Sequence, residues 1–244
     1  MKLFFSSVSS VVLGLTVVGS TFISGLSAQA QEILQQQGQL APVEDEHTFA
    51  GEAGQAVTIR LSSSDFDPVL ALLAPNGEEI AANDDYGGTL DATIVITLPS
   101  SGTYKVLARS YSGQGGNYTV TVAPASEFEL VFTEALDAIQ QGNFEMAIAA
   151  YTRAIEVEAD RPEVYLGRAD AYFGMAYQEL GDSLTGPDKL PDQTREAIAS
   201  DYESAANLYE AQGDSDLAQS FREQANYVRT GEVPESQFVP EGEG

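Results

Sequence analysis

The stretch from Tyr118 to Ile155 reads YTVTVAPASEFELVFTEALDAIQQGNFEMAIAAYTRAI and contains a change of hydrophobic period that decides the fold. Up to Ala123, apolar residues alternate with threonine, which is typical of a β-strand with one buried face. After Pro124, the apolar residues recur at helical spacing and alanine becomes frequent. The sequence therefore predicts an α+β protein of two domains, in which an all-β domain passes without a long linker into an all-α domain.

The strand pattern extends upstream to Glu44. Short runs with a period of two are separated by turn-forming residues, such as Pro75-Asn76-Gly77 and the glycine-rich run at 112–116. The alternating apolar positions include Val57, Ile59, Leu61, Ile94, Ile96, Leu98, Tyr118, Val120 and Val122. We expect about seven strands, which fits a single β-sandwich.

Three stretches of this domain resemble successive motifs of the bacterial pre-peptidase C-terminal (PPC) domain. They are EHTFAGEAGQAVTIRL (46–61), SDFDPVLALLAPNGEEIAANDD (64–85) and LPSSGTYKVLARSYSGQGGNYTVTV (98–122), and the resemblance runs roughly from Gly38 to Ala123. It implies a jelly-roll-like sandwich, here placed at 44–124, with a role in export, attachment or substrate binding. In this chain the domain is N-terminal and no peptidase follows it, which departs from the habit of the family.

Five oxygen-bearing side chains bracket one predicted hairpin. Asp65 and Asp67 precede a strand predicted at 69–74, and Asn83, Asp84 and Asp85 follow a strand predicted at 79–82. The hairpin brings both groups to the same end of the sandwich, where hard oxygen ligands would suit calcium. The alternative is that these residues only cap turns by bonding nearby backbone. Calcium is thus a possible ligand, and no other cofactor is expected.

The helical domain is predicted at 125–231. One helix ends at Gln141, Gly142 and Asn143 make a turn, and a second helix follows. A second pair of helices begins at Pro162, with an inserted loop at 181–194 between its members. The segment from Gly213 to Val228 reads as a closing helix, and 232–244 as a disordered acidic tail.

The pattern Gly142, Asn143, Phe144, Ala147, Tyr151 and Ala154 resembles the tetratricopeptide (TPR) repeat. The first repeat spans about Phe128 to Arg161, and the second departs from the pattern because of its insertion. The geometry of the family implies a protein-binding groove lined by Glu129, Phe132, Leu136, Gln140, Leu166, Asp170 and Phe173. This groove lacks basic residues and should prefer an apolar, neutral or basic peptide, unless neighbouring helices bury some of these side chains.

The first thirty residues are typical of a secretory signal. Lys2 precedes a mostly apolar run, and Ala28, Gln29 and Ala30 form a small-x-small cleavage signal, so the mature chain should begin at Gln31 with a Gln-rich segment at 31–43. The run is short and has no positive stop-transfer flank, which argues against a stable membrane anchor after cleavage. The periplasm, a thylakoid lumen and the extracellular space remain possible addresses.

The composition excludes several function classes. The chain carries 11 basic and 37 acidic residues, a formal net charge of −26, so it lacks the basic clusters that bind nucleic acid. It has no cysteine and one histidine, His47, which excludes Cys-His nucleophiles and zinc sites built from several such ligands. There is also no Gly-x-Ser-x-Gly motif around a nucleophile, and a small sandwich offers little room for a carboxylate-lined cleft. We therefore expect a protein that is not an enzyme.

Two functional interpretations remain open. In the first, the helical repeats bind a partner protein and the sandwich serves as an attachment or spacing module. In the second, the sandwich binds calcium, carbohydrate or an extracellular matrix.

We expect N-terminal sequencing of the protein recovered from the extracytoplasmic soluble fraction to begin at Gln31, because the cleavage signal ends at Ala30. A protein that keeps Met1 would contradict the predicted export signal.

Overall fold

The computed structural model describes residues 33–40, 44–87 and 89–232. The predicted signal peptide, its cleavage site at Ala28, Ala30 and Gln31, and the predicted tail beyond Glu232 lie outside the described residues.

Two four-stranded antiparallel sheets form the β domain, as the fold class predicted. The first sheet has the strand order β1-β8-β3-β6, and the second has the order β2-β7-β4-β5. The strands are β1 (Leu34–Leu40), β2 (Asp45–Gly51), β3 (Ala56–Ser62), β4 (Pro68–Leu73), β5 (Glu79–Asn83), β6 (Ala92–Thr97), β7 (Gly102–Ser110) and β8 (Gly116–Pro124).

The alternating residues of both sheets form the core of the sandwich. Val57, Ile59 and Leu61 on β3 are fully buried, and they belong to the same apolar cluster as Leu70 on β4 and Val106 on β7. Burial of such side chains is worth about 1.5–3 kcal/mol each, before the entropy of ordering them is counted. The apolar residues that alternate in the sequence are therefore the ones whose side chains face the core.

The sequence does not predict strand β1, because its alternating pattern begins only at Glu44 and leaves 31–43 outside the sandwich. Its residues pair with β8 from Leu34 opposite Val122 to Leu40 opposite Gly116. An edge strand is held by backbone hydrogen bonds, which polar glutamines provide as well as apolar residues do. The sheet therefore extends upstream of Glu44, and the described sandwich has eight strands instead of about seven.

Five α-helices follow the sandwich, again as predicted. They are α1 (Glu127–Gln140), α2 (Phe144–Val157), α3 (Pro162–Leu180), α4 (Asp192–Gln212) and α5 (Ser215–Thr230), with short 3₁₀ helices at Gly181–Ser183 and Pro187–Lys189. The pairs α1–α2 and α3–α4 are helical hairpins, and α5 packs against α4. At the first turn, Gly142 has a φ of 68°, a backbone conformation that favours glycine.

Small residues let the second helix approach the third closely. The Tyr151 ring lies so near Gly167 that a Cβ there would stand 2.3 Å from Cζ of Tyr151. A Cβ at Gly174 would stand 2.2 Å from the Phe144 ring. Both glycines are therefore packing requirements of the α2–α3 contact.

Glu129 joins the helices to the sandwich. Its carboxylate accepts a hydrogen bond from the Thr58 hydroxyl at 2.8 Å and forms an ion pair with Arg60, both of which lie on β3. Thr58 is only 1% exposed although it points away from the sandwich core, because α1 covers this part of the sheet. The sandwich and the helices accordingly form one compact unit.

The same carboxylate also caps α1. The Ser126 hydroxyl accepts from the Glu129 N–H, and Glu129 accepts from the Ser126 N–H at 2.8 Å, which is a capping box. Desolvation alone would raise the pKa of Glu129, but the bonds from Ser126, Thr58 and Arg60 outweigh it and hold the pKa below its ordinary value. Ionised Glu129 therefore stabilises the fold above the pKa of the unfolded chain, and this contribution is lost as pH falls through the folded pKa.

A second contact beside Glu129 is aromatic. Tyr86, which follows β5, packs edge-on against Phe132 of α1 at 5.8 Å between ring centroids, and its hydroxyl lies 2.9 Å from the Thr133 hydroxyl. The core of the first helices thus includes a residue of the sandwich.

Within the described residues, no helix is long and apolar enough to cross a membrane.

Replacing Glu129 with alanine should lower the free energy of unfolding by about 2–3 kcal/mol, because a charged acceptor is removed and the buried Thr58 hydroxyl is left unpaired. Urea unfolding followed by circular dichroism measures this loss, which should shrink as the pH falls below 4.5, the ordinary pKa of a glutamate, toward the lower pKa of folded Glu129. The matched control is Glu134→Ala on the same helix, which breaks the half-exposed Glu134–Arg153 pair and should cost no more than about 0.5 kcal/mol. Equal losses for the two variants would contradict the central role of Glu129.

Candidate functional site

The structure turns two of the predicted groove residues away from solvent. Glu129 is engaged by the sandwich, and Phe132 is only 4% exposed. Phe132 stacks on Phe128 at 5.5 Å and meets Tyr151 edge-on at 6.0 Å, in addition to its contact with Tyr86. The expectation that Glu129 and Phe132 face an open groove is therefore wrong, because the sandwich covers this side of α1.

The other two groove residues predicted on α1 offer little apolar surface. Leu136 is half-buried against the core of the first three helices, and Gln140 is exposed at the end of α1. Neither lines the apolar cavity at Phe173.

The groove residues predicted on α3 are more accessible than those on α1. Leu166 is half-buried in the core between α3, α4 and α5, whereas Phe173 lines a cavity and Asp170 is exposed. Asp170, Phe173 and Tyr177 lie three and four residues apart and therefore share one face of α3. Tyr177 is 60% exposed, so this face presents an aromatic ring to solvent.

The cavity at Phe173, called here the Phe173 pocket, has a volume of about 390 Å³. Its walls come from α3, from the segment between α3 and α4, and from α4 and α5. The lining residues are Phe173, Leu184, Thr185, Gly186, Pro187, Tyr202, Gln224, Tyr227 and Val228. Most of these side chains are apolar, and Tyr227 remains 37% exposed at the opening.

The insertion at 181–194 supplies one wall of this pocket, whereas the sequence pattern indicates only an interruption of the repeat. Leu190 is buried in the core of the last three helices, and Pro187 is buried too. Arg195 also donates a long hydrogen bond of 3.5 Å to the Pro187 carbonyl. The signal in the sequence was the spacing of Leu184, Pro187 and Leu190, which gives the insertion an apolar side.

Two ion-pair networks hold the helices around the pocket. Arg168 on α3 donates to both carboxylate oxygens of Asp201 on α4, at 2.6 and 3.0 Å, and also to the Thr152 hydroxyl on α2. On α5, Arg229 pairs with Glu196 and Glu203 of α4, and these bonds raise the pKa of the guanidinium. Such bidentate pairs fix the orientation of neighbouring helices more than they add to stability.

The acidic cluster of the sandwich lies at one end, as the hairpin predicted, since Leu70 pairs with Asn83. Polar groups on both sides of the hairpin nevertheless form hydrogen bonds with other protein groups. Asp65 accepts from the backbone and side-chain N–H groups of Asn117, and the backbone bond lowers the pKa of Asp65. Asn83 accepts from the Thr93 N–H and donates to the Asp85 carbonyl.

Two further aspartates of the acidic cluster, Asp84 and Asp67, differ from each other. Asp84 accepts from the Asp85 N–H at 3.1 Å, whereas Oδ1 of Asp67 is buried without a hydrogen-bond partner among the described residues. In this part of the chain, no three Asp, Glu or His side chains are gathered so that they could hold a metal ion. Only the bonds from Asn83 to the Asp85 carbonyl and from the Asp85 N–H to Asp84 are of the turn-capping kind. Turn capping and calcium binding both stay predictions for this cluster.

His47 belongs to a chain of hydrogen bonds between the two sheets. The Tyr118 hydroxyl donates to Asp45 at 2.8 Å and lies 2.8 Å from Nε2 of His47. Because the single hydroxyl proton goes to Asp45, Nε2 of His47 must carry the proton that it shares with Tyr118. Burial first, and then Asp45, raises the pKa of Tyr118. The network ties β2 of one sheet to β8 of the other.

Thermal melts of the full chain with a chelator and with ~1 mM calcium, the range of extracellular calcium modules, should give the same melting temperature. The reason is that the backbone or a neighbouring amide already engages Asp65, Asn83 and Asp84. A melting temperature that rises with calcium, and loses the rise in Asp67→Ala or Asp84→Ala, would instead establish an ion site. Glu78→Ala, at the opposite end of the hairpin, is the control and should keep any such rise.

Two family models match this chain. The family described as the bacterial pre-peptidase C-terminal domain matches residues 44–110, and the TPR repeat matches residues 138–175. No protein with a curated description matches the chain.

Three solved structures are among those to which part of this chain is similar. Aeromonas hydrophila PliG, a periplasmic inhibitor of g-type lysozyme, is 19% identical, with 42% of this chain and 93% of PliG covered at a TM-score of 0.34. The pre-peptidase C-terminal domain of a Bacillus anthracis collagenase is 15% identical, with 36% and 87% covered at 0.32. The propeptide form of the Bacillus licheniformis lipase BlEst2 is 18% identical, with 46% and 26% covered at 0.30.

Residues 44–110 are thus a bacterial pre-peptidase C-terminal domain, and residues 138–175 contain a TPR repeat.

Proposed function

We propose that this protein is an exported, non-enzymatic scaffold that holds a partner protein through its helical domain. The observation that carries the proposal is the Phe173 pocket. Its volume of about 390 Å³ lies within the ~300–1,000 Å³ range of ligand sites, and its lining is apolar with a few polar groups at the edge. A leucine or aromatic side chain of a partner would fill it.

The surroundings of the pocket support a protein partner. Tyr177 on α3 and Tyr227 on α5 are large and exposed, and tyrosine is enriched where proteins bind one another. Tyr177 lies about one helical turn after Phe173 on α3, and Tyr227 lines the pocket from α5. A peptide bound in the pocket would therefore cover both rings. The TPR repeat at 138–175 is consistent with this use, because such repeats generally mediate protein–protein interaction.

The sandwich has a structural role in this proposal. A stack of helical repeats needs a cover for the apolar side of its first helix. Here β3 and Tyr86 cover α1, so the sandwich acts both as an N-terminal cap and as an attachment or spacing module. The signal-like first thirty residues support export to the periplasm, a thylakoid lumen or the extracellular space.

A second candidate function has its own observation. A polar cavity of about 520 Å³ opens on the sandwich and is lined by Gln37, Ser62, Ser63, Ser64, Asp91, Asn117, Tyr118 and Thr119. Hydroxyl and amide groups of this kind suit a carbohydrate or a polar matrix component. The sandwich would then be the binding module, and the helices would be secondary.

Capture of cross-linked partners from the source cells by the full chain separates the two candidates. Gln224→Arg places a charge at the mouth of the Phe173 pocket and should reduce partner recovery at least about tenfold, the loss of one anchor residue. Asn226→Arg makes the same change at an exposed position two residues away, on another face of α5, and should leave recovery unchanged. Loss of recovery in Ser64→Arg, at the polar cavity, with no effect of Gln224→Arg, would favour the sandwich instead.

A further inference from the structure

In the helical domain, all basic side chains form ion pairs, whereas acidic side chains are in excess. Residues 125–232 contain seven basic side chains, and every one of them makes an ion pair with an acidic side chain of the same domain. They are Arg153, Arg161, Arg168, Lys189, Arg195, Arg222 and Arg229. The acidic residues outnumber these cations, so the surface that remains is anionic and complementary to a basic partner.

One unpaired acid lies beside the Phe173 pocket. Asp170 is one helical turn before Phe173 on the same face of α3, which separates their Cβ atoms by about 5–6 Å. Among the described residues, no Lys, Arg or His forms an ion pair with Asp170, although its side chain is exposed. The pocket therefore has a free carboxylate at one end of its aromatic wall.

The surroundings of Asp170 strengthen any charge pair that forms there. Neighbouring protein atoms desolvate its carboxyl and raise the pKa. Burial, and then the negative charge of Asp170, raises the pKa of both Tyr151 and Tyr202 to about 12. Tyr202 is itself a lining residue of the pocket, so the field of Asp170 reaches the cavity. An ion pair in such a partly desolvated place is worth more than one in bulk water.

We propose that the partner segment carries a lysine or arginine beside its apolar anchor, and that Asp170 is the group that binds this cation while the anchor enters the Phe173 pocket. The proposal rests on the proposed function of the pocket and adds the chemistry of the partner to it. The helical spacing of Asp170 and Phe173 sets the distance between the two contacts, so the cation and the anchor must be close neighbours in the partner. An acidic residue at the same place would be repelled by Asp170.

Selection of phage-displayed random 12-residue peptides on the exported form of the full chain tests the proposal. The wild type should enrich peptides in which Lys or Arg stands within about four residues of Leu, Phe, Tyr or Trp. Asp170→Lys should keep the apolar anchor and select Asp or Glu in place of the cation, because only the charge at the contact is reversed. Glu179→Lys makes the same change on the opposite, exposed face of α3 and should retain the preference for Lys or Arg.

Binding of one enriched peptide, measured by fluorescence anisotropy, then gives the size of the effect. Replacing its cation with Glu should weaken binding to the wild type at least about tenfold and strengthen binding to Asp170→Lys. Enriched peptides that need the pocket but show no charge preference would overturn the inference and leave the pocket as a binding site. Peptides that bind Gln224→Arg and the wild type equally, or no enrichment at all, would overturn the pocket and the inference together.

Discussion

The bonds of Glu129 are the constraint on which the rest of the structure depends. One carboxylate caps the first helix through Ser126 and at the same time binds Thr58 and Arg60 on the sheet. The start and the direction of α1 are therefore fixed against β3 by the same group. Each later helix packs on the one before it, so this junction sets the position of the whole helical array relative to the sandwich.

The junction also decides which end of the array can bind a partner. Because the sandwich covers α1, the aromatic residues Phe128 and Phe132 become core and offer no anchor site. The free surface lies at the other end, where α3, the inserted segment and α5 surround the Phe173 pocket. The ion pairs of Arg168 and Arg229 hold that end together without filling the cavity. Cover at one end and a preformed pocket at the other are the two features on which the proposed scaffold function rests.

Charge and packing act together in this arrangement. The basic residues of the helical domain all form ion pairs within that domain, and among the described residues no cation pairs with Asp170 beside the apolar pocket. An anionic protein gains little from adding further acids for stability, since like charges repel in the folded state. In the proposed function, the same excess would attract a basic segment and reject an acidic one, so it would act on specificity.

The sequence alone determined the elements of the fold and much of their order. The apolar face of each element can be read from neighbouring residues alone. The pattern has a period of two up to Ala123 and a helical period after Pro124. Only the tertiary structure decided what covers each face. Phe132 is buried because Tyr86, which lies 46 positions earlier in the chain, packs against its ring. Segment 34–40 is a strand because β8 offers it a free edge, and backbone bonds leave no side-chain signal. The pocket exists because an insertion folds back onto α5, a contact between distant residues that no local period records.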